Sequence, residues 1–279
     1  MDILWRVRKQ LDVRLRDRTL HGWAQAFAGA VALEPGGPSG LFAAEGMVPV
    51  YPRLSCLDTL DYAERTLWSD PPPERAATDA GPPVRRRLIA EAGRLEGTPD
   101  ASYDAILASH VLEHLANPLG ALREWARVVR PGGHVLLIVP HRDGTFDHRR
   151  PTTSLEHLRE DAERETPEED LAHLPEILAL HDLERDPGAP NREVFERRCR
   201  DNAGTRAMHH HVFVSRTVVQ ACREAGLQVL GLRPKETFNI VCLCRVGGAE
   251  AAGDGGLSDR RLRRILRWSV FASDRAAAA

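Results

Sequence analysis

Lysine is almost missing from this chain: of its 38 basic residues only Lys9 and Lys235 are lysines. Net charge is −2, which gives no bulk attraction to nucleic acid. No run approaches the ~18 apolar residues a membrane-spanning helix needs. The first 20 residues carry six Lys/Arg against three Asp/Glu and no continuous apolar block, so they do not read as a secretory signal. The five cysteines (Cys56, Cys199, Cys222, Cys242 and Cys244) include no CxxC pair, so neither a disulfide framework nor a zinc ribbon is indicated. Small buried hydrophobes in a reducing cytosol are the expectation, with Cys242 and Cys244 on one face of a strand. There is no internal repeat, no P-loop and no dinucleotide fingerprint: Pro38 and Leu41 stand where the latter needs glycines.

What remains is an ordinary globular composition, 42% apolar and 28% charged over 279 residues, enough for one large or two small domains. Charge is unevenly placed. Residues 154–170 hold eight acids against two arginines, and residues 257–270 hold five arginines against one aspartate. Residues 3–28 read as helix, 30–33 as a short strand ending at Glu34, and 54–60 as a second strand. Residues 70–83 are a proline-rich connection that resists regular structure. Tyr103–Ala108 is a strand, Pro118–Val129 an amphipathic helix stopped by Pro131-Gly132-Gly133, and Val135–Val139 an uninterrupted apolar strand, which together make a βαβ unit. Residues 215–225 form another amphipathic helix. Residues 227–232 and 238–245 pair antiparallel at a sheet edge, and 257–271 is a basic helix. The expected fold is α/β: a Rossmann-like open, mostly parallel sheet with helices on both faces.

In such sheets ligands bind beyond the carboxyl ends of the strands. Glu34-Pro35-Gly36-Gly37-Pro38-Ser39-Gly40 follows the first strand, and its glycines let backbone approach a ligand. Asp58 is read as ending the second strand, where an acid can take both hydroxyls of a ribose; Asp61 is its nearest rival. Ser109-His110-Val111-Leu112-Glu113-His114 follows the third clear strand, and Pro140-His141 ends the fourth.

These residues carry a resemblance. Ser102-Tyr103-Asp104-Ala105-Ile106, then Ser109 to His114, then Leu122-x-Glu124-x-x-Arg127-Val128-Val129-Arg130-Pro131-Gly132-Gly133 resembles the class I S-adenosylmethionine-dependent methyltransferases, more narrowly the small-molecule methyltransferase-11 type. The resemblance implies a seven-stranded sheet and S-adenosylmethionine as cofactor. It implies that Glu34, Gly36 and Gly40 lie along the amino-acid part of the cofactor, although Pro38 replaces the family's middle glycine. Asp58 would take the ribose hydroxyls, Glu91 and Ala92 would flank the adenine, and His110 would face the cofactor from the strand end.

Twelve histidines are many for this length. Two histidine-bearing segments, 141–158 and 209–211, would lie over the cofactor's methyl in this fold. One of His141, His148 or His210 is therefore expected to act as general base, His141 first because it stands at a strand end. A divalent metal at Asp147, His148, His157 and the 209–211 run is the rival; its spacing is not diagnostic, and no metal site is assigned. Residues 154–170 read as a solvated helix face. The basic ends suit an anionic membrane surface or a plain terminal helix packed on the domain.

The expected organisation is a helical extension (1–28), a methyltransferase domain (29–246) whose insertion 141–212 forms an acceptor lid, and a linker with a basic helix (247–279). The expected protein is a cytoplasmic methyltransferase acting on a small-molecule or glycan acceptor, with a sugar-like hydroxyl as the specific expectation and no nucleic-acid partner. A degenerate, non-catalytic binding module and a nucleic-acid methyltransferase are the alternatives.

Overall fold

A computed structural model describes residues 17–67, 84–235, 237–247 and 255–278. Most of the expected first helix, the proline-rich connection at 70–83 and most of the linker at 247–256 lie outside the described residues.

Seven strands form one sheet: β1 (Val31–Pro35), β2 (Cys56–Asp61), β3 (Val84–Ile89), β4 (Tyr103–Ser109), β5 (Val129–Pro140), β6 (Gln228–Lys235) and β7 (Asn239–Arg245). Their order is β3-β2-β1-β4-β5-β7-β6. The first five run parallel, and β7 is antiparallel to both neighbours. The central strands carry unbroken apolar runs such as Val135 to Val139 because both faces of the sheet are covered. Cys242 and Cys244 share a face of β7 with Sγ atoms 3.7 Å apart; like Cys222 they are buried and free.

Strand β3 is absent from the sequence reading, because Val84-Arg85-Arg86-Arg87-Leu88-Ile89 has no apolar pattern. It is an edge strand, where charge is tolerated and discourages further pairing. Its arginines clamp β2: Arg85 donates to both Asp58 carboxylate oxygens at 2.9 and 2.6 Å, Arg86 donates to Asp58 at 2.8 Å, and Arg87 to Asp61 at 2.9 Å. Tyr103 of β4 adds a hydroxyl to Asp58 at 2.8 Å. Burial alone would raise the Asp58 carboxyl, but the hydrogen bonds from Arg85, Arg86 and Tyr103 outweigh it and hold the group below its ordinary value. Asp58 therefore stabilises the fold above the pH where an unfolded aspartate ionises, and that contribution fades as pH falls through the lowered folded value. Asp58→Asn is expected to cost about 1–3 kcal/mol, because the buried Tyr103 hydroxyl and the half-exposed Arg85 and Arg86 lose a buried, charged acceptor. The check is the urea midpoint.

Helix α1 (Arg18–Trp23) starts at Asp17, whose carboxylate accepts the Thr19 and Leu20 N–H groups. Helix α2 (Pro118–Val128) is capped by Asn117 and buries Leu119, Leu122 and Trp125; the Trp125 indole N–H donates to the Ala92 carbonyl at 2.8 Å. Pro131-Gly132-Gly133 does not stop this helix. It lies inside the long β5, where the register against β4 jumps from Tyr103↔Val129 to Ala105↔His134. A Cβ at Gly133 would run into the Asp104 carbonyl, so the bulge needs glycine there.

The stretch 141–212 holds α3 (Leu155–Arg164), α4 (Leu174–Leu180), α5 (Arg192–Arg200) and α6 (Asn202–Thr205). Leu174, Ile177, Phe195, Cys199 and Met208 give it an apolar cluster of its own. The acidic run is not uniformly solvated: Asp161 is buried, and Glu168 accepts the Ala116 N–H at 3.2 Å. After α7 (Ser215–Glu224) come α8 (Asp259–Arg267) and α9 (Ala272–Ala276). Leu262 and Leu266 of α8 are buried in the main core, so the apolar stripe a membrane would take is used on the protein itself. No helix among the described residues is long and apolar enough to cross a membrane.

Candidate methyl-donor site

A cavity of about 320 Å³ opens where β1, β2 and β4 end. Its first wall is the loop after β1. Gly36 has φ +69, and a Cβ there would meet Val111 Cγ2 at 2.8 Å, so only bare backbone fits. Gly37 is equally constrained, since its Cβ would collide with the Glu34 carboxyl. Glu34 accepts the Ser39 N–H at 2.8 Å and the Tyr51 hydroxyl at 2.7 Å. Burial pushes its carboxyl up to about 8 against those two hydrogen bonds. Glu34 is fully buried and shapes the loop from behind, while Gly36, Ser39 and Leu41 face the cavity. Gly40 is not among the lining residues.

The second wall comes from β2. Leu60 and Asp61 line the cavity, and Asp58 does not. The strand runs to Asp61, three residues past Asp58, whose carboxylate is committed to Arg85, Arg86 and Tyr103. The acid at the strand end is therefore Asp61, which corrects the reading of Asp58. Glu91 and Ala92 complete this side. Across the opening, Arg206 of the stretch 141–212 pairs with Glu91 at 2.5 Å and lies 5.5 Å over the Tyr62 ring. The Tyr62 hydroxyl donates to the Thr205 carbonyl at 3.0 Å.

The third wall is the turn after β4. His110 has φ +54, a strained conformation for a residue with a side chain, and its N–H donates to Ile138 O at 2.8 Å. A short 3-10 turn, Leu112–His114, then places Glu113 beneath His110 and His114. Glu113 is 1% exposed, and neither carboxylate oxygen has a hydrogen-bond partner of normal geometry among the described residues. Its nearest polar neighbours are the imidazole nitrogens His110 Nδ1 at 3.5 Å and His114 Nε2 at 3.9 Å. Burial raises the Glu113 carboxyl, but His110, His114 and His209 outweigh it and hold it below the ordinary value. Burial lowers the His110 imidazole, yet Glu113 outweighs that and raises it above the ordinary value. Burial, then His209, pushes His114 down to about 4.

The three histidines expected as base stand elsewhere. His141 is fully buried, stacks on Phe271 at 3.7 Å, and has Nε2 3.2 Å from Asp274. Asp274 also accepts the Ser215 and Ser269 hydroxyls, so this group anchors α9 to the domain. His148 pairs with Asp182 at 2.8 Å within the stretch 141–212. His210 is buried beside Asn202, Nε2 to Nδ2 3.0 Å, and burial followed by His173 pushes it down to about 3. None of the three lines the cavity. Arg150 is likewise internal: it donates to Asp147, Glu176 and the carbonyls of His209 and His210. His148→Ala is expected to leave donor binding unchanged, as read by calorimetry with S-adenosylhomocysteine.

Residues 7–232 match the family model described as a methyltransferase domain. The chain belongs to that family, and its sheet is that of a class I S-adenosylmethionine-dependent methyltransferase. Among solved structures it is similar to an S-adenosylmethionine-dependent methyltransferase from Aquifex aeolicus (15% identity, 86% of this chain and 96% of that one, TM-score 0.44). It is also similar to one from Mesorhizobium loti (13% identity, 82% and 96%, TM-score 0.46). No curated protein matches it.

S-adenosylmethionine is the methyl donor, and the cavity suits it in three respects. The Gly36 backbone is exposed to the ligand for want of a Cβ, an acid stands at the end of β2, and Leu60, Ala92, Val111 and Leu115 give an apolar slot for a nucleobase.

Proposed function

We propose that the protein methylates a hydroxyl of a small-molecule or sugar-like acceptor, with His110 as general base. The observation that carries this reading is the imidazole on the cavity wall backed by the buried, otherwise unpartnered carboxylate of Glu113. When bound, S-adenosylmethionine supplies a sulfonium-activated methyl group. The Gly36 backbone and Ser39 hold its amino-acid end, Asp61 takes the ribose hydroxyls, and Leu60 and Ala92 flank the adenine with Glu91 at the rim.

Glu113 turns His110 so that Nδ1–H faces the carboxylate and Nε2 carries the lone pair. At rest Nε2 lies 3.0 Å from the Asn239 side-chain amide, which donates to that lone pair when its Nδ2–H faces the ring; Nε2 leaves the amide to take the acceptor's hydroxyl proton. Glu113 then stabilises the imidazolium, which is why its negative charge is kept beneath the ring. Alignment and exclusion of water supply the rest of the rate.

A small acceptor is favoured over nucleic acid because the insertion bridges the cavity through Arg206–Glu91 and Tyr62–Thr205. We assign residues 141–212 as the acceptor lid and the cytoplasm as the compartment, which suits five free cysteines. The test is formation of S-adenosylhomocysteine from the labelled donor with a panel of monosaccharides, phenols, RNA and DNA. Turnover confined to small hydroxyl compounds is expected; turnover on nucleic acid alone would overturn the reading.

A further inference from the structure

The insertion gathers a second polar cluster that methyl transfer does not use. His157 and Asp161 lie one turn apart on α3, His173 stands at the start of α4, and His211 is on the extended segment ahead of α7. One ligand-type atom from each lies within 4.8 Å of all the others. His157 Nε2 is 3.1 Å from His173 Nε2 and 3.3 Å from Asp161 Oδ2, and Asp161 Oδ2 is 3.7 Å from His211 Nε2. A tetrahedral zinc ion with ligand bonds of ~2.0–2.1 Å has ligand-to-ligand edges of about 3.3 Å. The three measured separations bracket that edge.

A purely hydrogen-bonded network explains the cluster poorly. Asp161 Oδ1 accepts the Thr166 hydroxyl at 3.0 Å, but the buried Oδ2 has no hydrogen-bond partner among the described residues. Two facing Nε2 atoms share one proton at most, so the cluster presents more lone pairs than protons, and an unsatisfied buried carboxylate oxygen is costly. A divalent cation accepts all of these lone pairs at once. The Thr166 hydrogen bond is the kind of outer contact that orients a carboxylate ligand. His211 Nε2 also lies 3.2 Å from the Ala116 carbonyl. Without metal the Nε2–H donates there; ligation through Nε2 takes the other neutral tautomer, with the proton on Nδ1.

The geometry points to a zinc-type divalent-cation site made by His157, Asp161, His173 and His211. Four protein ligands close the tetrahedron and leave no position for an acceptor, so the ion is structural. It ties α3 and the start of α4 to the segment carrying His209 to His211. The His211 N–H donates to the Glu113 carbonyl at 3.3 Å, so the ion also braces the turn that holds Glu113 and His114 against the cavity. A neighbouring trio, Glu113, His114 and His209, is the competing location. It is the weaker one: His209 Nδ1 is committed to Asp147 at 2.6 Å, and His114 Nε2 stands 3.9 Å from Glu113.

The experiment loads the full chain with zinc, dialyses it, and measures metal by mass spectrometry, with circular dichroism to confirm folding. About one zinc per chain is expected in the wild type and in His114→Ala, with His157→Ala and His173→Ala each falling below about a tenth of that. Cobalt substitution should give the intense visible bands of a tetrahedral site, and EDTA should lower the melting temperature. Folded wild-type protein that keeps no zinc overturns the assignment. So does zinc lost in His114→Ala but kept in His157→Ala, which moves the ion to the competing trio, and so does a weak octahedral cobalt spectrum.

Discussion

Asp61→Ala is expected to weaken S-adenosylhomocysteine binding roughly 10- to 100-fold, the loss of about 1.5–3 kcal/mol from a charge-assisted hydrogen bond. Its thermal stability should change little. The Asp61 carboxylate stands at the strand end and lines the cavity, and its arginine partner among the described residues, Arg87, comes from an exposed edge strand. Asp58→Asn should do the opposite: stability falls while the affinity of the remaining folded protein holds. The two acids are three residues apart on β2, and one calorimetric titration with one melting curve on each variant separates their roles. Equal loss of affinity in both variants would mean that the Arg85 and Arg86 clamp is itself part of the donor site.

Glu113→Gln is expected to reduce kcat by roughly 100-fold or more, within the range general-base catalysis supplies. The pH profile is the more discriminating readout. The Glu113 charge raises the His110 imidazole above its ordinary value, so the acid limb of kcat/KM should have its midpoint above that value in the wild type. On the proposed mechanism activity should rise with pH, because the neutral imidazole is the form that accepts a proton. Removing the charge lowers the His110 value, so the limb should move to lower pH in the variant even as the plateau drops. Donor affinity should be unaffected, because Glu113 lies beneath the cavity floor. A merely structural Glu113 would lower stability and leave the limb where it was.

The central βαβ unit was legible because its strands are apolar on both faces and its helix has a clear stripe, so pattern and tertiary environment agree. The errors have equally physical sources. Strand β3 was invisible because Arg85, Arg86 and Arg87 suit an edge rather than an interior. Missing it hid the partners of Asp58, and with them the reason its carboxylate is not on the cavity wall. Reading Asp58 rather than Asp61 as the acid that ends β2 followed from that gap. Pro131-Gly132-Gly133 looked like a helix stop but is a bulge in β5, since the strand begins directly after Val128.

The three candidate histidines lie off the cavity wall for a different reason. His141 stands at a strand end, where a side chain is expected to meet a ligand, yet α9 covers it through Asp274, a contact 133 positions away along the chain that no local pattern reveals. Glu113 and His114 were present in the motif read from the sequence. The three-residue spacing of His110 and Glu113 across a tight turn was the available signal. Arg206 and Tyr62 gave none, because only the folded insertion brings them to the cavity.

The most direct measurement is a crystal structure of the full chain with S-adenosylhomocysteine. The ribose hydroxyls should lie within hydrogen-bond distance of Asp61, with the adenine between Leu60 and Ala92 and the sulfur on the side of His110. A nucleoside seated away from the β1 and β2 strand ends, or a ribose held by Asp58, would contradict the donor site as drawn.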